Sequence, residues 1–121
     1  MDKVLQGLRA AGEATRLRLL FVLSHGEFNV TELTQILLQS QPRISRHLKL
    51  MTDAGLLSRF KEGSWVVFRL RPDGEVGRLA EMIATTLNAD DPVLRGDLAR
   101  LNEVLAERAA RAAEYFSANA A

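Results

Sequence analysis

Ser40-Gln41-Pro42-Arg43-Ile44-Ser45-Arg46-His47-Leu48-Lys49-Leu50-Met51-Thr52-Asp53-Ala54-Gly55-Leu56-Leu57 is the stretch from which the fold is read. Ser40 suits an N-cap, and Pro42 falls in a first turn, where its missing N–H costs nothing. Ile44, Leu48 and Met51 recur at i, i+4 and i+7, so one stripe is apolar and is predicted to face a core. At about 100° per residue, Pro42, Arg46, Lys49 and Asp53 take the opposite face, with Arg43 and Ser45 on its flanks. That face joins cations to short hydrogen-bonding groups, and a helix of this width fits a DNA major groove. Gly55 is expected to end the helix as a left-handed C′ residue.

The flanking segments extend this reading. Leu57 to Lys61 and Trp65 to Leu70 are predicted strands, rich in β-branched and aromatic residues. Glu62-Gly63-Ser64 is the expected turn between them, with Gly63 able to take positive φ. Arg59 and Lys61 put charge on this hairpin. On the other side, Asn29-Val30-Thr31-Glu32 has the spacing of a capping box, with Val30, Leu33, Ile36 and Leu37 as the apolar face of the helix that follows. Gln39-Ser40-Gln41 is the expected turn between the two helices. A cationic hairpin directly after a cationic helix of this kind is a winged helix-turn-helix.

The order of these pieces resembles the winged-helix domain of the ArsR/SmtB family of bacterial repressors. The resemblance covers residues 13 to 71. It rests on Glu13-Ala14-Thr15-Arg16-Leu17-Arg18-Leu19-Leu20, Thr31-Glu32-Leu33, the stretch from Ser40 to Lys49, Ala54-Gly55-Leu56 and the hairpin. It implies a homodimer that binds double-stranded operator DNA and releases it when an inducer binds. The expected DNA contacts are Ser40, Gln41, Arg43, Ser45, Arg46, His47 and Lys49 from the helix, and Arg59, Lys61 and Ser64 from the wing. For His47 a place at the edge of the core is an equal alternative.

Bulk properties bound the rest. The 121 residues are enough for one domain with a real core, and 47% hydrophobic and 26% charged residues are ordinary for a globular chain. No stretch approaches the roughly 18 apolar residues of a membrane span, and the N-terminus lacks the pattern of a signal peptide. A cytoplasmic protein without a membrane partner is expected. The net charge of +1 hides an uneven distribution: seven bases face two acids from Ser40 to Arg71, and five bases face nine acids from Pro72 onward. A basic middle and an acidic C-terminal part predict a polyanion-binding face and a separate structural one.

The expected architecture is mainly α with a β-hairpin wing, one domain over 1–121. The DNA reader spans about 29–71, and dimerisation helices span about 2–12 and 75–117. In the first helix Val4, Leu5, Leu8 and Ala11 are expected to point inward. Ala14 to His25 is so apolar that it should be the buried centre. Glu75 to Leu87 forms a further helix. Asp91 N-caps a last one, which starts at Pro92 and runs to about Phe116. Leu94, Leu98, Leu101 and Leu105 are spaced four, three, four, as a seam for another helix. At about 25 residues this helix spans nearly 40 Å, so dimerisation through Leu5, Leu8 and the seam is expected.

Chemistry-bearing residues are few. Cysteine is absent, so thiol sensing within the chain is excluded, and only His25 and His47 offer imidazole. The resemblance implies arsenic- and cadmium-type sites built on cysteines in the helix that begins near Asn29, and zinc- or nickel-type sites with histidines on a C-terminal helix. Neither set is in the sequence. His25, before Gly26, reads as a helix-end cap, and Trp65 reads as a core anchor. No phosphate-cradling glycine loop and no nucleophile with histidine and acid partners are present, so an enzyme is not expected. Asp91 to Leu101 with Arg108 to Phe116 resembles the linker helix of ArsR-type domains fused to S-adenosylmethionine-dependent methyltransferases. That resemblance implies S-adenosylhomocysteine or S-adenosylmethionine as effector, with no cofactor required. The alternative it raises is a regulatory module of such an enzyme.

Overall fold

The computed structural model describes residues 1–119. The helices are α1 (Asp2–Ala11), α2 (Ala14–Leu23), α3 (Val30–Leu37), α4 (Gln41–Asp53), α5 (Gly74–Thr86) and α6 (Pro92–Asn119). The strands are β1 (Phe28–Asn29), β2 (Leu57–Glu62) and β3 (Trp65–Leu70), in an antiparallel sheet ordered β1-β3-β2. The architecture is a winged helix-turn-helix with a three-stranded wing sheet.

The core collects around α2, whose Leu19, Leu20 and Val22 are fully buried. Ile44, Leu48 and Met51 of α4 join Leu33, Ile36 and Leu37 of α3 in the same core. This is the stripe that the 3.6-residue period required. The Asn29 side chain accepts from the Glu32 N–H at 2.9 Å while Glu32 accepts from the Asn29 N–H at 3.0 Å, a complete capping box. Gly55 has φ +87° and closes α4: its N–H donates to the Thr52 carbonyl and the Leu56 N–H to that of Met51, a Schellman ending.

Several expectations are corrected. The turn between α3 and α4 runs from Leu38 to Ser40, and Gln41 is already helical. The reversal is made by Leu38, which adopts φ +56° at the C-cap of α3 and stays 70% exposed. Ser40 occupies the N-cap position, but its hydroxyl makes no cap hydrogen bond. Glu62 belongs to β2, paired with Trp65, and the turn is Gly63-Ser64 alone. Gly63 takes φ +63° at the first central position and Ser64 stays at negative φ, the pattern of a type II′ hairpin. Trp65 is 58% exposed and anchors nothing; Val67 and Phe68 are the buried residues of β3.

The last helix departs most from expectation. Leu94 and Leu101 are buried in the protomer's own core, with Val104, so the four-three-four seam is spent on α2 and α3 and is not free for a partner. Leu98 packs against that core and Leu105 is 38% exposed. Leu5 and Leu8 of α1 do not point inward: they are 41% and 48% exposed, and Gly7, Ala10 and Ala11 form the buried face. α1 packs chiefly on α5, with α2 and α4 beside it.

A buried acid fixes α6. Asp97 is 0% exposed and accepts from Arg18 Nε at 2.8 Å, Arg18 Nη2 at 2.7 Å and Arg100 Nη2 at 2.9 Å. The same two arginines donate to the last carbonyls of α3: Arg18 to Leu37 at 2.9 Å and Arg100 to Ile36 at 2.6 Å. Helix-end carbonyls that would otherwise lack partners are thereby closed by cations, which also suit the negative end of the helix dipole. Farther along, Arg108 grips both oxygens of Glu32 at 2.7 Å and the Glu27 carbonyl at 2.7 Å.

Candidate nucleic-acid interface

The surface of α4 is built by what its buried stripe leaves outside. Arg43, Arg46 and Lys49 are exposed and Ser45 is half-buried. Gln41 donates to Ser45 Oγ at 2.8 Å, so two expected contacts one turn apart are already oriented together. Lys49 meets Asp53 at 3.0 Å, an exposed i,i+4 pair of small energetic value.

Strand parity decides which side of the wing faces this helix. Arg59 pairs with Phe68 and Lys61 with Val66. Side chains alternate along a strand, so Arg59 and Lys61 share the face that carries Val66 and Phe68. A cleft between α4 and the hairpin is lined by Ser45, Lys49, Arg59, Val66 and Phe68. The wing cations therefore stand on the α4 side of the hairpin. Ser64 lies exposed at the tip. Trp65 and Glu62 fall on the opposite face.

Of the two alternatives for His47, a DNA contact or a place at the edge of the core, the protomer shows it packed as an internal brace. Its side chain is only 16% exposed; Nε2 lies 3.6 Å from Glu13 and Nδ1 lies 3.2 Å from Arg16 Nη1. Burial, then the positive charges of Arg16, Arg43 and Arg46, hold its pKa below the ordinary imidazole value, with Glu13 opposing. Glu13 is the N-cap of α2 and accepts from the backbone N–H groups of Thr15 and Arg16. Burial raises its pKa, but those two hydrogen bonds and the charges of His47 and Arg16 together hold it below the usual carboxylate value. His47 thus ties the middle of α4 to the start of α2 and sets the helix orientation.

Arg9 was missed by sequence reasoning. It is exposed on α1 and lines a groove with Arg46, Lys49 and Leu50. No local motif marks it; only the packing of α1 beside α4 brings it there. His25 behaves as expected: Nδ1 lies 2.9 Å from the Phe21 carbonyl at the end of α2. Among the described residues, no three histidine, aspartate or glutamate side chains gather to hold a metal ion, and no helix is long and apolar enough to cross a membrane.

Comparison with known proteins agrees with this geometry. A family model described as "Bacterial regulatory protein, arsR family" matches residues 13–59. The chain is 38% identical over 98 residues to the arsenic resistance transcriptional regulator ArsR1 of Pseudomonas putida, spanning 79% of this chain and 75% of that one. It is 45% identical over 69 residues to the arsenical resistance operon repressor of Escherichia coli, spanning 56% of this chain and 59% of that one. Among solved structures, the transcriptional repressor BigR from Xylella fastidiosa superimposes with a TM-score of 0.65 at 26% identity, covering 74% of this chain and 88% of that one.

Proposed function

The chain belongs to the ArsR family of bacterial regulatory proteins, and on that premise we propose a homodimeric transcriptional repressor whose α4 reads the major groove of an operator while the wing grips flanking phosphates. The observation that carries this reading is the free cationic surface. Arg43, Arg46, Arg59 and Lys61 are exposed and have no internal acceptor among the described residues. Cations left without an internal partner beside a groove-sized helix are what a polyanion requires. The test is selection of bound sequences from random duplex DNA, followed by affinity measurement on the selected site and on scrambled DNA. Equal affinity for both would remove sequence reading.

For the dimer, α1 and α5 replace the seam of α6. Leu5 and Leu8 on α1, with the 63% exposed Met82 on α5, form an apolar strip on two helices already packed together. A two-fold partner covers such a strip with its own copy. Leu8→Glu should sediment as a folded monomer and lose operator affinity, because one protomer cannot span two half-sites. A persistent dimer would move the interface elsewhere.

The trigger, on this reading, is organic. The relatives from Pseudomonas putida and Escherichia coli are named for arsenic, but arsenic-type sites in the family use cysteines, and this chain has none. Both histidines are engaged, His25 as a cap and His47 with Glu13 and Arg16. The linker resemblance makes S-adenosylhomocysteine and S-adenosylmethionine the first compounds for calorimetry, with the α1–α5 face of the dimer as the site. Tight zinc or arsenite binding that lowers operator affinity would overturn metal independence. A second reading, a regulatory module of a methyltransferase, draws support from α6, which is exposed all round from Ala109 to Asn119. A reading frame that continues into a catalytic domain would favour it.

A further inference from the structure

The wing has a second face, and it carries a residue that the DNA reading does not use. Trp65 holds a large apolar ring 58% exposed, a surface that normally finds a partner. With Val67, it opens onto a groove of about 840 Å³ between the hairpin, α3 and the later turns of α6. That volume falls in the range of small-molecule sites. Val67 and Val104 line it as nearly buried apolar groups. Glu62, directly across the strand pair from Trp65, and Glu107, held by Gln35 at 3.3 Å, line it with polar groups.

The charge balance selects the occupant. Arg108 is not a free cation here, since it is committed to Glu32 and to the Glu27 carbonyl, with its guanidinium 4.8 Å from the centre of the Phe28 ring. Glu32 and Arg108 cancel. Of the remaining lining charges, Glu27, Glu62 and Glu107 stand against Arg111. Arg69 does not line the groove but reaches Glu27 at 3.6 Å and offsets it, so Glu62 and Glu107 outnumber Arg111 by one. One face of the hairpin is thus cationic and the other borders a net anionic cavity with an exposed indole.

We propose that this groove binds a planar aromatic cation, with its ring stacked on Trp65 and its charge directed to Glu62 and Glu107. The indole face attracts cations through its quadrupole, and stacking removes apolar area on both rings from water. An anionic aromatic of equal size gains the stacking and meets the carboxylates. A ring lodged there sits between β3 and α6, so it also braces the strand pair whose far side carries Arg59 and Lys61. That consequence rests on the DNA-binding reading; the site does not.

Trp65 is the only tryptophan in the chain, so its emission reports occupancy directly. DNA-free protein is titrated with berberine and with proflavine, both planar cations, and with the anionic 8-anilinonaphthalene-1-sulfonate. Calorimetry is run in parallel. Saturable binding of at least one of the two cations, one per protomer, is expected, with the sulfonate at least about tenfold weaker. Glu62→Gln combined with Glu107→Gln should weaken that cation about tenfold, and Arg111→Ala should tighten it. Trp65→Ala, followed by calorimetry, should lose most of the affinity. These side chains lie outside the core, and unchanged thermal unfolding certifies each variant. Failure of both cations to bind, equal affinity for the sulfonate, or wild-type affinity in Trp65→Ala overturns the proposal. Because no DNA is present, the result is independent of operator binding.

Discussion

Arginine does opposite work on α4 and along α6. Arg43 and Arg46 of α4 project into solvent with no acceptor in the protomer among the described residues. Arg100 and Arg108 of α6, and Arg18, which shares Asp97 with Arg100, spend their donors inside: on Asp97, on Glu32, on the last carbonyls of α3 and on the Glu27 carbonyl before β1. The first set is available to DNA because the fold does not need it. The second is unavailable because the position of α3, and through it α4, depends on it. Counting bases along the chain cannot separate these roles, and substitutions can.

The largest expected effect lies in the inner set. Asp97→Ala leaves Arg18 and Arg100 facing each other without the acid, and removing one member of a buried charged cluster costs about 3 kcal/mol. Urea unfolding of the variant should show that loss; an unchanged midpoint would mean that α6 contributes packing alone. The outer set should behave in the reverse way. Arg46→Ala should reduce discrimination for the selected operator by about 1–3 kcal/mol while its unfolding curve overlays the wild type. A matching loss of stability would assign Arg46 to the inner set. Lys61→Ala is expected to weaken all duplexes alike and to reduce the salt dependence by about one unit of slope. An unaltered slope in a salt titration would take the wing tip off the phosphates.

The smallest effect probes His47, which braces α4, the carrier of the outer set, against Glu13 and Arg16 at the start of α2. Its pKa lies below the ordinary imidazole value in the folded protein, because burial and then the neighbouring arginines disfavour the charged ring, with Glu13 opposing. The unfolded chain therefore takes up the proton earlier as pH falls. No penalty exists above the ordinary value, and stability declines as pH drops below it, until the folded form also protonates. His47→Gln should be less sensitive than wild type to a change from about pH 7.5 to about pH 5.5. Identical pH dependence in the two proteins would show that another group dominates.

What the sequence made legible was periodic or local. The stripe of Ile44, Leu48 and Met51, the capping box at Asn29 and Glu32, and the glycines at 55 and 63 each declare themselves within a few residues. What it hid depends on partners far away. Trp-Val-Val-Phe is apolar at every position, so it has no parity from which to learn that Trp65 faces out. β1 is two residues long and carries no period. A leucine spacing of four, three, four says that α6 packs against something, and the same pattern suits a second copy or the chain's own α2 and α3. Asp97 looked like one acid among nine in the C-terminal part, yet its partner Arg18 is 79 positions earlier. His47 sits one helical step from the core stripe, where the 3.6-residue period cannot distinguish a groove contact from a brace.

The clasp around Asp97 also has a consequence in time. The carbonyls of Ile36 and Leu37 leave the ribosome early, and the acid that orients their cations emerges roughly 3–12 s later, at about 5–20 residues per second. For most of that interval the nascent chain already includes the whole segment of the reading helix, while its supporting helix has no closed end. Long-range contacts of this separation are slow to form in any case. Regulatory competence therefore arrives late in synthesis, and a partly made chain is a poor competitor for the operator.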